Sequence, residues 1–399
     1  MRCNGQAINR QEAWHLYQPK PSSTHKPTNG TENECRVERH DIFDNVEKES
    51  DNVSSSPVGN QLPQAKRIQL ESVEAFMDVL ACGQPVIIGG VNLGSCTNTW
   101  DAEYLKERLG AQRPVIVHSS SSVHMDFQKK NFSYVKQPFG EFVERAGRGE
   151  HVYLRALSSN QPSKSSTSLK ADFPQVAGHF SLPPEMQFAA ENEHSSVLRI
   201  SGQVTMWLHY DVMANILCQI RGSKSIVLFP PSDIHRLGFP AGETTSTLSP
   251  LTDRKTIART SPIEAVLLPG DVLFIPPCWP HVTAPNGPDM SVAVNVFFRS
   301  LINGYSTGKD VYGNRDLEMY QNGRREIEKI AKAIHDDTKE DATAWKEALG
   351  GAIERRKVLS DSTKGAKEAN RIVKSAEGLP RDIGQFYLDR LAEEVRQLS

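Results

Sequence analysis

The sequence predicts a mainly β domain with flanking helices, followed by a helical C-terminal region. Three observations carry this. Between His151 and Phe298, short apolar runs are separated by Gly and Pro turns, the pattern of a sandwich or small barrel. After Arg299 the apolar spacing becomes helical. Residues 1–65 are rich in Ser, Asn, Pro, Glu and Asp, too polar to offset the entropy of ordering. The expected organisation is therefore a disordered tail over 1–65, a β domain over 66–300 and a helical region over 301–399 with a charged insert near 336–377.

The elements follow in order. Ser72 caps a short helix carrying Phe76, Val79 and Leu80, closed by Gly83. Pro85–Ile88 reads as a buried strand, bent at Gly89-Gly90. Asp101–Leu109 is a second helix stopped by Gly110, and Val115–Val117 a further strand. Pro138 starts a third helix through Phe139, Phe142 and Val143. The expected β segments are then His151–Leu157, Val204–Tyr210, Asn215–Ile220, Ser225–Phe229, Glu264–Leu268, Val272–Ile275 and Ser291–Phe297. Helices are expected over Asp316–Ile334, around Trp345–Ile353, and after Pro380 through Phe386, Leu391 and Val395.

Charge excludes a globally basic nucleic-acid binder, since 46 Lys and Arg face 48 Asp and Glu for a formal net charge of −2. No stretch approaches the roughly 20 apolar residues of a membrane span, and Met1–Lys20 lacks the apolar core of a secretory signal. Six cysteines without a CxxC predict neither a disulfide framework nor a cysteine zinc site, and fit a reducing, intracellular compartment.

The informative segment is Trp207-Leu208-His209-Tyr210-Asp211. On a strand, residues two apart face one side, so His209 and Asp211 aim an imidazole and a carboxylate at one point. A third ligand stands 70 residues beyond Asp211, at His281, after Gly270-Asp271 and an apolar strand. Two histidines and one carboxylate form the facial triad of non-haem Fe(II) oxygenases, which leaves positions open for a cosubstrate and O₂. Asn215–Ile220 and Ser225–Phe229 flank Arg221-Gly222-Ser223-Lys224. Read as a hairpin with a Gly222-Ser223 turn, this pairs Arg221 with Lys224 and turns Lys224 to the side of Asn215. A buried lysine needs an anion, which the distal carboxylate of 2-oxoglutarate supplies; the competing reading is a solvated turn lysine. Tyr153 alternates with His151 and Arg155 and reads equally as core or as a cosubstrate contact. His118, His124, His151 and His194 read as structural or surface histidines.

With these residues in view, the chain from about Lys66 to Tyr312 resembles the small JmjC-domain hydroxylases, most of all the branch that synthesises wybutosine in tRNA. The resemblance rests on Met125-Asp126-Phe127 with Lys130-Asn131-Phe132, Tyr153-Leu154-Arg155, His209-Tyr210-Asp211-Val212-Met213 with Asn215, Lys224, Gly270–Pro276, Val294–Phe297 and Asp310-Val311-Tyr312-Gly313-Asn314. It implies a double-stranded β-helix (a cupin/JmjC barrel) with Fe(II) on His209, Asp211 and His281, and 2-oxoglutarate on Tyr153, Asn215 and Lys224. The implied reaction uses O₂ to hydroxylate a wybutosine-type guanosine in phenylalanine tRNA, in the cytoplasm or nucleus. Lys129, Lys130, Lys136, Arg145, Arg148, Arg299, Arg315, Arg324 and Arg325 are the candidate RNA contacts. The apolar stripes of the last helices, with the habit of related enzymes, imply a homodimer. The alternatives are a JmjC protein hydroxylase or histone lysine demethylase, or a non-catalytic cupin binding module.

Overall fold

The structure, a computed structural model, describes residues 62–162, 164–248, 258–335, 339–356 and 364–398, with a small ribbon in which Arg2–Cys3 pairs with Gln6–Ala7. Most of the tail expected over 1–65 lies outside the described residues.

In chain order the elements are β1 (Lys66–Ile68), α1 (Val73–Cys82), β2 (Val86–Ile88), α2 (Ala102–Leu109), β3 (Pro114–Ser120), β4 (Phe132–Pro138), α3 (Phe139–Gly147), β5 (Val152–Arg155), β6 (Glu193–Ser201), β7 (Ala214–Arg221), β8 (Lys224–Leu228), β9 (Ile263–Leu267), β10 (Val272–Ile275), β11 (His281–Pro285) and β12 (Ser291–Phe298). Four helices follow: α4 (Glu318–His335), α5 (Lys339–Arg355), α6 (Lys364–Glu377) and α7 (Arg381–Arg396). The helix signals act as expected. The Ser72 hydroxyl accepts from the Ala75 N–H, and Gly83 closes α1 at φ 63°. The Asp101 carboxylate likewise caps α2 through the Tyr104 N–H at 2.8 Å.

A nine-stranded sheet runs β1-β2-β10-β7-β12-β6-β5-β3-β4, antiparallel except for β1–β2. A three-stranded sheet, β9-β8-β11, faces it. Leu217, Leu273 and Ile275 of the large sheet meet Ile226, Leu228, Ala265 and Leu267 of the small one, closing one end of the space between them with apolar side chains. The outer side of the large sheet is covered by α1 and α3 through Phe76, Leu80, Phe139 and Phe142. This is a double-stranded β-helix with flanking helices.

Three readings of the β domain are corrected. Val204–Tyr210 is no regular strand: its N–H groups bond to Val123, Thr283 and His281 in turn, so isolated bridges replace a ladder. Glu193–Ser201, unexpected, is a central strand; Val197, Leu198 and Ile200 are all fully buried, so it lacks the alternation of a half-exposed strand. Arg221–Lys224 is no hairpin. β7 pairs with β10 and β12, β8 with β9 and β11, and the Gly222-Ser223 link carries the chain from one sheet to the other. Gly222 has φ +66°, and a Cβ there would lie 2.6 Å from the Met290 carbonyl oxygen.

The segment read as a charged insert contains α5 and α6. Ala366, Ala369, Ile372, Val373 and Ala376 of α6 are buried, a stripe that its alanines conceal in the sequence. The stripe expected to serve a dimer is buried within one chain: Ile330 and Leu391 are fully covered, as are nearly all of Ile327, Phe386, Leu388 and Val395. No helix among the described residues is long and apolar enough to cross a membrane.

Candidate metal centre

The backbone brings the three expected ligands together. His209 and His281 exchange both main-chain hydrogen bonds, at 3.1 and 2.7 Å, so their side chains leave on one face. The Cys278 N–H, held by a φ of +63°, donates to the Asp211 carbonyl at 2.8 Å and ties the second ligand loop to the first. One donor atom from each of His209, Asp211 and His281 then lies within 4.8 Å of the others. Asp211 Oδ2 is 3.8 Å from His281 Nε2, and the imidazole centroids are 4.4 Å apart.

Tautomers are set locally. His209 Nδ1 lies 3.0 Å from the Trp207 carbonyl and His281 Nδ1 lies 2.9 Å from the Trp279 carbonyl. A carbonyl only accepts, so each Nδ1 carries a proton, and Nε2 is the nitrogen left to meet a metal. Burial, reinforced by His281, lowers the His209 pKa to about 4 and keeps its ring neutral, the form a metal takes. Two imidazoles and a carboxylate with donor atoms this close fit a divalent transition metal.

Near the triad stand three cationic side chains, Arg155 and Arg199 from the large sheet and Lys224 from the small one. Lys224 is buried, and among the described residues no carboxylate pairs with it. Burial and then Arg199 lower its pKa to about 7. Arg199, on β6, donates to the Tyr153 hydroxyl, while its Nε is buried without a hydrogen-bond partner. The Asn295 amide donates to Asn215 Oδ1 at 3.1 Å, and its own buried Oδ1 is unpartnered. Arg155 pairs with Arg199 across β5–β6 and lies 4.6 Å over the Tyr312 ring. Tyr153, Asn215 and Lys224 are all buried, and Lys224 is placed by the inter-sheet link rather than by a hairpin. Arg199, Asn295 and Arg155 were missed. Arg199 and Asn295 face the inside only through the pairing of β6, β12 and β7, which no local pattern announces.

Several other candidates take structural roles. Asp271 pairs with Arg67, and its carboxylate accepts from the Leu268 N–H. Arg145 and Arg148 both hold Glu150 at 2.7 Å, and Arg324 holds Glu394 at 3.0 Å. Arg315 donates to the Thr307 carbonyl. His194 bonds the Ser166 hydroxyl at 3.2 Å.

The family model described as "Cupin-like domain" matches residues 72–304, more than half of the chain. The chain belongs to the cupin-like domain family. It is 44% identical over 333 residues to tRNA wybutosine-synthesizing protein 4 of Aspergillus oryzae, covering 83% of this chain and 28% of that protein. It is 37% identical over 259 residues to tRNA wybutosine-synthesizing protein 5 of Danio rerio, covering 61% and 77%. Against the protein 5 of Homo sapiens it is 32% identical over 292 residues, covering 69% and 90%. The cupin-like chain thus spans less than a third of its Aspergillus relative but most of the two vertebrate ones.

Proposed function

We propose that this cupin-like protein is an Fe(II)- and 2-oxoglutarate-dependent hydroxylase that modifies a wybutosine-type guanosine in phenylalanine tRNA, in the cytoplasm. The observation that carries the reading is a triad of two imidazoles and one carboxylate beside buried cations that, among the described residues, lack a carboxylate partner. His209, Asp211 and His281 would hold the metal. Lys224, Tyr153 and Asn215 would hold the cosubstrate, joined by Arg199 and Asn295. The unpartnered Arg199 Nε and the pKa-depressed Lys224 ask for an anion, because unpaired buried cations are costly. A dicarboxylate between the metal and Lys224 answers both. Bound together, the metal, 2-oxoglutarate and O₂ supply oxidative decarboxylation to succinate and CO₂ with hydroxylation of a C–H bond. The chain's role is to fix both imidazole tautomers, orient the cosubstrate by its charge, and exclude water with the apolar end of the barrel. The names of the relatives support tRNA as the substrate.

The test is succinate release with Fe(II) and 2-oxoglutarate, with and without tRNA carrying wybutosine precursors, and the mass of the recovered nucleoside. Succinate that rises with the tRNA and a nucleoside heavier by one oxygen are expected. Turnover stimulated by a protein substrate, with no change in the tRNA, would move the enzyme to the protein hydroxylases. Absence of turnover with an intact metal site would make it a binding module.

A further inference from the structure

The face of the large sheet that carries Tyr153, Arg155 and Arg199 continues outward onto β3 and β4, where the register sets His118 opposite Tyr153 on one side and Tyr134 on the other. Aromatic rings gather there. His118 lies 4.8 Å from Tyr134 and 5.1 Å from Phe132 between ring centroids. Phe132 stacks on Trp207 at 5.5 Å and 13°. The Trp207 ring is 6.4 Å from that of His209, so the row of rings reaches the metal ligands. At its outer end, among the described residues, Tyr134 is 60% exposed on an edge strand, with only His118 and Phe132 against its ring, an unusual place for a large aromatic.

Charge around the row is one-sided. Lys129, Lys130 and Lys136 are exposed beside it. Asp126, in the same turn, accepts from the Lys129 N–H at 2.9 Å and sits 3.5 Å from the Lys129 ammonium. The Lys130 ammonium rests 3.4 Å from the centroid of the Phe127 ring, a contact worth only about 0.5–1 kcal/mol at an exposed site and readily exchanged for a phosphate. Burial pushes the His118 pKa down to about 4, so its ring is neutral and adds a π-face rather than a charge. The Met125-Asp126-Phe127 and Lys130-Asn131-Phe132 motifs therefore have a physical job. Asn131 bonds the Asp126 N–H and the His124 carbonyl, at 2.8 Å each, and folds the turn that sets Phe127 and Phe132 against Trp207.

We propose that this row is a stacking shelf for an unpaired base of an RNA. Tyr134 and Trp207 take the base plane, Lys130 and Lys136 meet the flanking phosphates, and the base edge points at His209. The inference rests on the tRNA reading above and names the residues that would recognise the substrate. Flat rings ringed by lysines are the chemistry by which single-stranded nucleic acid is held: stacking holds the base, and cations hold the backbone.

The experiment is anisotropy of labelled phenylalanine tRNA bearing the wybutosine precursor, titrated with the full chain at several salt concentrations. Tyr134→Ala and Trp207→Ala should each weaken binding roughly tenfold without changing the salt slope, and Tyr134→Phe should restore it. Lys130→Ala with Lys136→Ala should instead flatten the slope by about one unit or more. Tyr134 is exposed, so its variant tests the shelf even if Trp207→Ala fails to fold. Tight wild-type binding that Tyr134→Ala and Trp207→Ala leave unchanged would overturn the shelf alone. A wild type that binds no tRNA would overturn the tRNA reading, and the shelf with it.

Discussion

Each histidine of the candidate triad holds its Nδ1 proton against a carbonyl two residues upstream, which fixes the orientation of both rings. His209→Ala should abolish Co(II) or Fe(II) binding in a metal titration while shifting the melting temperature by only a few degrees, because the ring's hydrogen bond is local, to the Trp207 carbonyl. Tight metal binding by that variant would remove His209 from the site. Lys224 carries a second prediction. Lys224→Met should raise the 2-oxoglutarate requirement about ten- to hundredfold, the worth of a charge-assisted contact of about 1.5–3 kcal/mol, with metal affinity kept. Its pH signature follows from the depressed pKa of about 7 against 10.5 in the unfolded chain. Between those values the unfolded chain holds the extra proton, so the ligand-free protein gains stability as pH rises through the window. Denaturation of Lys224→Met at pH 7 and pH 9 should show a smaller gain than the wild type.

At the scale of elements, the link between β7 and β8 shows why a local turn signal misleads. Gly222-Ser223 has the composition of a two-residue hairpin turn, yet its flanking strands pair with other partners in different sheets. What the position requires is a positive φ and the absence of a Cβ beside the Met290 carbonyl. Gly222→Ala should cost about 1–3 kcal/mol in urea unfolding, the scale of a strained backbone, and should leave metal binding intact once folded. A neutral substitution would mean that the β12 edge yields easily. Asn215 and Lys224 were legible as inward-facing although the reason given for Lys224, a paired hairpin, was wrong. Its own alternation with Ile226 and Leu228 on β8 suffices.

On the scale of the whole molecule, the C-terminal helices belong to the barrel's support. Tyr210, between two triad ligands, donates to Asp316 Oδ1 at 2.9 Å, and Tyr387 of α7 donates to the same oxygen at 3.0 Å. Arg390 donates to the Tyr210 hydroxyl and to the Pro240 and Glu243 carbonyls. Burial raises the Asp316 pKa to about 6, and Arg390 is the main influence opposing it. Arg390→Met should therefore destabilise the protein by about 3–5 kcal/mol, the cost of stranding a buried charge, read by chemical denaturation. Leu391→Asp, placed against Gly323 in a fully buried spot, should unfold the helical region rather than dissociate a dimer. Sedimentation of a folded variant with wild-type stability would contradict that placement.

The sequence alone pointed to the His209–Asp211 pair, the inward Lys224, the caps of α1 and α2 and the change from β to helical period, because each depends on residues near one another in the chain. Tertiary structure decided the rest. Arg199 and Asn295 come together with Tyr153 and Asn215 only because β5, β6, β12 and β7 lie side by side. The stripe on α4 and α7 is covered by its own chain because those helices pack together, and an apolar face carries no label for its partner. The aromatic row arises because Met125–Phe132 and Trp207, 75 residues apart at their nearest, fold against one edge of the sheet. Periodicity states which face of a segment is buried; only the long-range pairing of strands states against what.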